Sequence, residues 1–249
     1  MKSHPFSLLT ALKLGRKIAK DIHWKEDHSI GEAASLKKSP TRTEVINYLI
    51  KGRPNSRYLE IGVRNPADNF KDIKATTKYS VDPGVEFKDN PVDFAMTSDA
   101  FFELIDESPS TIGDELFDLI FIDGLHKAPQ AYKDILNAIR WIKEDGYIVL
   151  HDCNPPTEWH QRANFNFKLT PAGVRWNGTT WKAFVRARAI EGFHSACIDS
   201  DWGIGVIWKS DEPTVTTLPT DDFFDYDTLH ANRHALLRLV SFDEFQKII

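Results

Sequence analysis

The chain has 249 residues, of which 41% are hydrophobic and 27% charged, values that suit one globular enzyme domain with a sizeable core. A net charge of -5 argues against nucleic acid as the main partner, because phosphate binding relies on clustered Lys and Arg. Two cysteines, Cys153 and Cys197, are too few for a disulfide framework or a thiolate zinc site and fit a reducing, cytoplasmic setting, and no run is long enough to insert across a membrane.

In chain order, Phe6 to Ile22 sets Leu8, Leu12, Ile18 and Ile22 among Lys13, Arg16, Lys17 and Lys20, which predicts a basic amphipathic helix. Its lysines break the apolar core that a signal peptide needs. Such a helix can lie on a membrane surface, but the expectation is that it packs on the main domain or on a second subunit, which keeps a homo-oligomer in view. After the polar stretch Ser29 to Pro40, Thr41 and Glu44 form a capping-box signature, and Val45, Leu49 and Ile50 should face inward.

Strands are expected from Tyr58, up to Asp82, and over Val92 to Ala95, followed by a helix that Thr97-Ser98-Asp99 opens and Phe101, Phe102 and Leu104 anchor. Phe117 to Ile122 is almost wholly apolar, as a strand covered on both faces must be. Pro129 then suits a helix start, with Tyr132, Ile135, Ile139 and Ile142 at helical spacing until Gly146. Gly146 to Asp152 reads as another buried strand. Beyond an irregular stretch, Cys153 to Thr179, come a helix over Thr180 to Ala189 and strands near Phe193 to Ile198 and Gly203 to Trp208. The last forty or so residues, helical around Leu229 to Val240, read as an appended cap.

The pattern predicts an α/β protein: a Rossmann-like, doubly wound, mostly parallel sheet with an antiparallel edge strand, an N-terminal helix and a C-terminal helical cap. One domain would span 1–249, with an extension over 1–40, a binding core over 41–210 and the cap over 211–249. Strands that end in acids supply the functional signal. Ligands of such sheets bind at the strands' carboxyl edge, and an acid about twenty residues past a glycine turn grips the two hydroxyls of a nucleotide ribose. Gly62 and Asp82 stand in that relation.

Glu60-Ile61-Gly62 after a strand, Asp82 ending the next, Thr97-Ser98-Asp99, Phe117 to Gly124 and Gly146 to Asp152 together resemble a class I S-adenosylmethionine (SAM) dependent methyltransferase over roughly residues 56 to 209. Ile122-Asp123-Gly124-Leu125-His126 with Leu150-His151-Asp152-Cys153 resembles methyltransferases associated with glycan and natural-product pathways. The family's usual turn is Glu-x-Gly-x-x-x-Gly, and here Pro66 replaces the last glycine.

By that resemblance Glu60 organises the turn, the Gly62 backbone lies against SAM and Asp82 holds the ribose. Ser98 or Asp99 meets the adenine amino group, and Asp123 contacts SAM or a metal. Asp99 can equally be read as a helix cap. In metal-dependent relatives an acid after the fourth strand and a pair after the fifth hold a divalent cation. Asp123 and Asp152 match the acids, His151 or Asn154 would supply a third ligand, and Mg²⁺ or Mn²⁺ is the implied ion.

Methylation of a hydroxyl requires removal of its proton, by a histidine or by a metal that acidifies it. His126 is the preferred base and His151 the second choice. The loop Asn154 to Arg162 and the nearby Trp159, Trp176 and Trp181 suit a small-molecule acceptor, with a sugar foremost. A nicotinamide-dependent oxidoreductase shares the ribose acid but would need Gly-x-Gly-x-x-Gly, which the turn lacks. A noncatalytic scaffold module is the third reading.

Overall fold

The apolar runs ending at Ile61, Val81, Ile122 and Leu150 form the parallel part of a seven-stranded sheet. The computed structural model describes residues 7–20, 38–86, 89, 91–168, 170–211 and 225–249. The predicted helix ends at Phe6 and Ile22, most of the stretch Ser29 to Pro40, and 212–224 of the cap lie outside the described residues.

Strands β1 (Arg57–Ile61), β2 (Thr77–Val81), β3 (Phe117–Ile122) and β4 (Ile142–Leu150) run parallel in the order β2-β1-β3-β4. The sheet continues through β6 (Ile204–Lys209), antiparallel to both β4 and β5 (Phe193–Ile198), to a two-residue edge strand, β7 (Leu239–Val240). The sheet is thus mostly parallel with antiparallel pairing toward one side. The antiparallel strand lies inside that side rather than at the rim.

Helices cover both faces, which is why β1 and β3 are buried at every position. On one face α3 (Ser98–Glu107), α4 (Ala128–Trp141) and α5 (Thr180–Ala187) bring Phe101, Phe102, Ile135 and Phe184 against Ile120 and Leu150. On the other, α2 (Arg42–Leu49) and the C-terminal α7 (Phe242–Phe245) pack Val45, Ile46, Leu49 and Phe245 against Leu119, Phe121 and Val149. The capping box at Thr41 and Glu44 forms as the sequence predicts. The cap helix α6 (Tyr226–Leu237) buries Leu229, Leu236 and Leu237.

Three expectations require correction. Val92 to Ala95 is no strand: only Phe94 bridges to Val81, because Asp93 Oδ2 accepts the Ser80 N–H at 2.9 Å and its hydroxyl at 2.7 Å, occupying the edge with a side chain. Ile142 is not the last turn of α4 but the first residue of β4, paired with Phe117 ahead of a register shift. Finally, α1 (Leu8–Ile18) does not pack on the main domain: none of its residues is buried.

Candidate active site

The carboxyl ends of β1 to β4 surround a cavity of about 790 Å³, and Glu60, Gly62, Asp82, Ser98, Asp99, Asp123, His126, His151 and Asp152 all line it. The topology therefore gathers these nine residues into one space.

On the β1–β2 side, Gly62 adopts φ +92°, and a Cβ there would sit 2.3 Å from the Asp123 carbonyl oxygen, so only glycine lets the two turns meet. Glu60 is buried and accepts the Tyr58 hydroxyl at 2.5 Å and Asn69 Nδ2 at 2.9 Å. Burial pushes its carboxyl up to about 7 despite those donors. Asn69 in turn accepts the Thr43 hydroxyl at 2.7 Å, so Glu60 ties the turn after β1 to α2. Asp82 Oδ1 accepts the Gly84 N–H at 2.7 Å, which orients the carboxylate at the strand end.

At the start of α3 the N-cap is Thr97, whose hydroxyl accepts the Ala100 N–H at 3.3 Å. Asp99 is therefore spared that duty and instead accepts Lys133 Nζ at 2.7 Å and Gln130 Nε2 at 2.9 Å. The Lys133 hydrogen bond, above all, holds its pKa below the ordinary carboxylate value. Gln130 also donates to Ser98 Oγ at 3.2 Å.

On the β3–β4 side two carboxylates and two imidazoles alternate. Asp123 Oδ1 lies 3.3 Å from both His126 Nε2 and His151 Nδ1, and Asp152 Oδ2 lies 3.1 Å from His126 Nδ1 and 3.6 Å from His151 Nδ1. Burial alone would lower both imidazole pKa values, but the carboxylates outweigh it: His126 rises to about 9 and His151 well above its ordinary value. The neutral His126 assumed from an unperturbed imidazole is thus replaced by a cation at neutral pH. Burial also opposes ionisation of Asp123, yet His151 and His126 hold it well below the usual range, whereas burial keeps Asp152 raised.

Sequence reasoning missed four neighbours of this quartet, Asp201, Arg42, Asn177 and Gly178. Asp201 Oδ1 lies 3.3 Å from His151 Nε2, an ion-pair distance without hydrogen-bond alignment. Asp201 Oδ2 accepts the Arg42 N–H at 2.7 Å, and Arg42 Nη1 lies 3.3 Å from the same oxygen. Asn177 Nδ2 donates to Asp152 Oδ1 at 2.6 Å. Trp176 stacks on His126 with centroids 5.1 Å apart and offers its carbonyl to His126 Nδ1 at 3.0 Å. Gly178, at φ +60°, packs so closely on His126 that a Cβ would fall 2.0 Å from its carbonyl oxygen, which clamps 176–179 onto this turn. Of the three expected tryptophans only Trp176 lines the cavity, while Trp181 is fully buried in the core. Asn154 Nδ2 donates to Asp199 at 2.9 Å, and Asn154 is not among the residues lining the cavity.

The residues fit both groups that the fold implies. Asp82 and Asp99 provide acceptors for a ribose and an amino group, and a cavity edged by Glu60, Asp82, Asp99, Asp123 and Asp152 suits a sulfonium cation. Ligand atoms of Asp123, His126 and Asp152 lie within 4.8 Å of one another, a mixed carboxylate and imidazole set able to hold a divalent ion.

Residues 59–153 match a family model described as a methyltransferase domain. No curated protein matches the chain. Among solved structures it is similar to an O-methyltransferase from Bacillus cereus in complex with S-adenosylhomocysteine (SAH), at 14% identity over 79% of this chain and 97% of that one with a TM-score of 0.45. It is also similar to an SAH-bound Podospora anserina methyltransferase, at 15% identity over 85% and 100% with a TM-score of 0.41. A third is MycE of the mycinamycin pathway, in complex with Mg, SAH and mycinamycin VI, at 15% identity over 71% and 50% with a TM-score of 0.39. The family match starts on β1 and ends just past β4, so the similarity to a methyltransferase domain falls on the strands that build the cavity.

Proposed function

We propose that this enzyme transfers the methyl group of SAM to a hydroxyl of a small molecule, a sugar of a surface-glycan or secondary-metabolite pathway, in the cytoplasm. The observation that carries the reading is that the acids suited to the cofactor and the Asp–His quartet share one cavity. Both cysteines are free, in keeping with a reducing compartment. Trp176, with Phe165 at a centroid distance of 5.4 Å, gives the cavity an aromatic wall on which the apolar face of a sugar ring can rest.

In this reading SAM lies along the turn at Gly62, with its ribose on Asp82, its adenine toward Ser98 and Asp99, and its charged sulfur toward Asp123. The acceptor oxygen attacks the methyl carbon in line as the carbon–sulfur bond breaks, and the acceptor proton passes to His126, which can take it once the sulfonium charge beside Asp123 offsets the carboxylates and leaves the imidazole neutral. The chain's main contribution is to position the two partners. His151, held between Asp123 and Asp201, keeps the quartet in place.

A second reading adds a metal, favoured by the ligand atoms within 4.8 Å of one another. Asp123 and Asp152 would hold a divalent ion with the His126 imidazole beside them. When bound, such an ion supplies positive charge that acidifies the acceptor hydroxyl and offsets the carboxylates that keep the histidines protonated.

Calorimetry with SAM and SAH tests the cofactor assignment, and transfer of a labelled methyl group to a panel of sugars and phenols tests the chemistry. Failure to bind either cofactor would remove the proposal. Binding with methylation of phenols alone would redirect the acceptor class.

A further inference from the structure

We propose that α1 is a docking element for an anionic membrane surface. An ordinary surface helix hides its apolar stripe against a core. Here Leu8, Leu9, Leu12 and Leu14 are 79, 71, 56 and 47% exposed, and α1 has no buried residue. At about 100° per residue, Leu8, Ala11, Leu12, Leu14, Ile18 and Ala19 share one arc of about 160°, and Lys13, Arg16, Lys17 and Lys20 share a neighbouring arc of about 100°. Leu9 alone falls among the basic residues.

Charge selects the occupant. Residues 7–20 contain four cations and no acid in a chain whose net charge is -5, so this element is locally positive on a negative protein. An apolar arc flanked by Lys and Arg is the pattern of a helix lying in the lipid interface, with leucines at the acyl boundary and cations among anionic headgroups. A second copy of the helix suits it less well. Two helices of 11 residues, each about 16 Å long, would bury well under the roughly 1,200 Å² of a stable interface and would bring six cations together. The element is too short to span a bilayer, and no helix among the described residues is long and apolar enough to do so.

The test is co-sedimentation of the full chain with vesicles of phosphatidylcholine alone and of phosphatidylcholine mixed with phosphatidylglycerol, at low and high salt. The proposal expects partition onto the anionic vesicles at least roughly tenfold above the neutral ones, weakened by salt. K13E/K17E and L8D/L12D should each lower it by a similar factor while SAM affinity stays unchanged, since α1 lies outside the cavity. Absence of binding to both vesicle types, binding indifferent to lipid charge, or binding unaffected by both double variants would overturn it. So would sedimentation equilibrium showing a dimer that L8D/L12D dissociates.

Discussion

Asp201 ties His151 to Arg42: one carboxylate oxygen lies 3.3 Å from the imidazole Nε2 and the other accepts the Arg42 backbone N–H at 2.7 Å. The end of β4 is thereby joined to the start of α2. Asp201 sits at φ +41°, beside Trp202 at φ +65°, and Asp152 sits at φ +60°. Such backbone costs about 1 kcal/mol or more per residue and persists only where the surroundings enforce it. Here the Cys153 N–H donates to the Gly203 carbonyl at 2.9 Å and the Asn154 N–H to that of Trp202 at 2.8 Å, locking the two turns together.

Asp201→Ala removes one member of a buried charge cluster and leaves His151 and Arg42 without their shared partner. It should lower folding stability by about 3 kcal/mol, read by urea denaturation. Asp201→Asn keeps an acceptor for the Arg42 N–H and tolerates the left-handed backbone, so it should lose less. A stable Asp201→Ala protein would show that the tie contributes little.

Asp82 carries the cofactor assignment. Replacing it with Ala removes a charged acceptor from two ribose hydroxyls, each hydrogen bond worth about 1.5 to 3 kcal/mol on truncation. SAM affinity should fall at least roughly tenfold by calorimetry with the fold intact. Unchanged affinity would place the ribose elsewhere.

Much of this site could be read in the sequence because parallel strands covered on both faces leave near-continuous apolar runs, and the polar residue after each run marks the functional edge. Phe117 to Ile122 and Asp123 illustrate this. Residues brought in from afar left no such mark. Asn177 meets Asp152 from 25 positions away, Thr179 Oγ1 accepts the Ala128 N–H at 2.8 Å and so caps α4 from 51 positions away, and Asp201 reads locally as part of a turn. Val92 to Ala95 looked like a strand because an apolar run does not reveal that Asp93 turns back onto Ser80. A positive φ at Asp152 and Asp201 was the clue that sequence could not supply.

In the proposed reaction His126 and His151 would divide the proton chemistry by position. His126 stacks on Trp176 and is partly exposed to the cavity, whereas His151 is nearly enclosed. His126→Ala should reduce kcat roughly a hundredfold or more with SAM affinity little changed, and His151→Ala should do less. The reverse order would place the acceptor nearer β4. Under the metal reading, a chelator should abolish turnover while SAM still binds, and Mg²⁺ or Mn²⁺ should restore it. Full activity in excess chelator would leave proton removal to His126 alone.

Asp134 on α4 offers a test of electrostatics away from the quartet. Burial, the largest influence, lifts its carboxyl from 3.8 to about 6, although Gln130 Nε2 donates to it at 3.0 Å. A raised carboxylate means that the folded state binds its proton more tightly than the unfolded chain does. The associated stability is fully present below about pH 4 and is lost as pH rises through about 6, a difference of about 3 kcal/mol as an upper bound. Asp134→Asn keeps the acceptor for Gln130 without the buried charge. Compared with the parent in urea, the variant should gain up to about 2 kcal/mol at pH 8 and little at pH 4. A pH-independent difference between the two proteins would show that Asp134 is ionised at no such cost and that its surroundings solvate the charge.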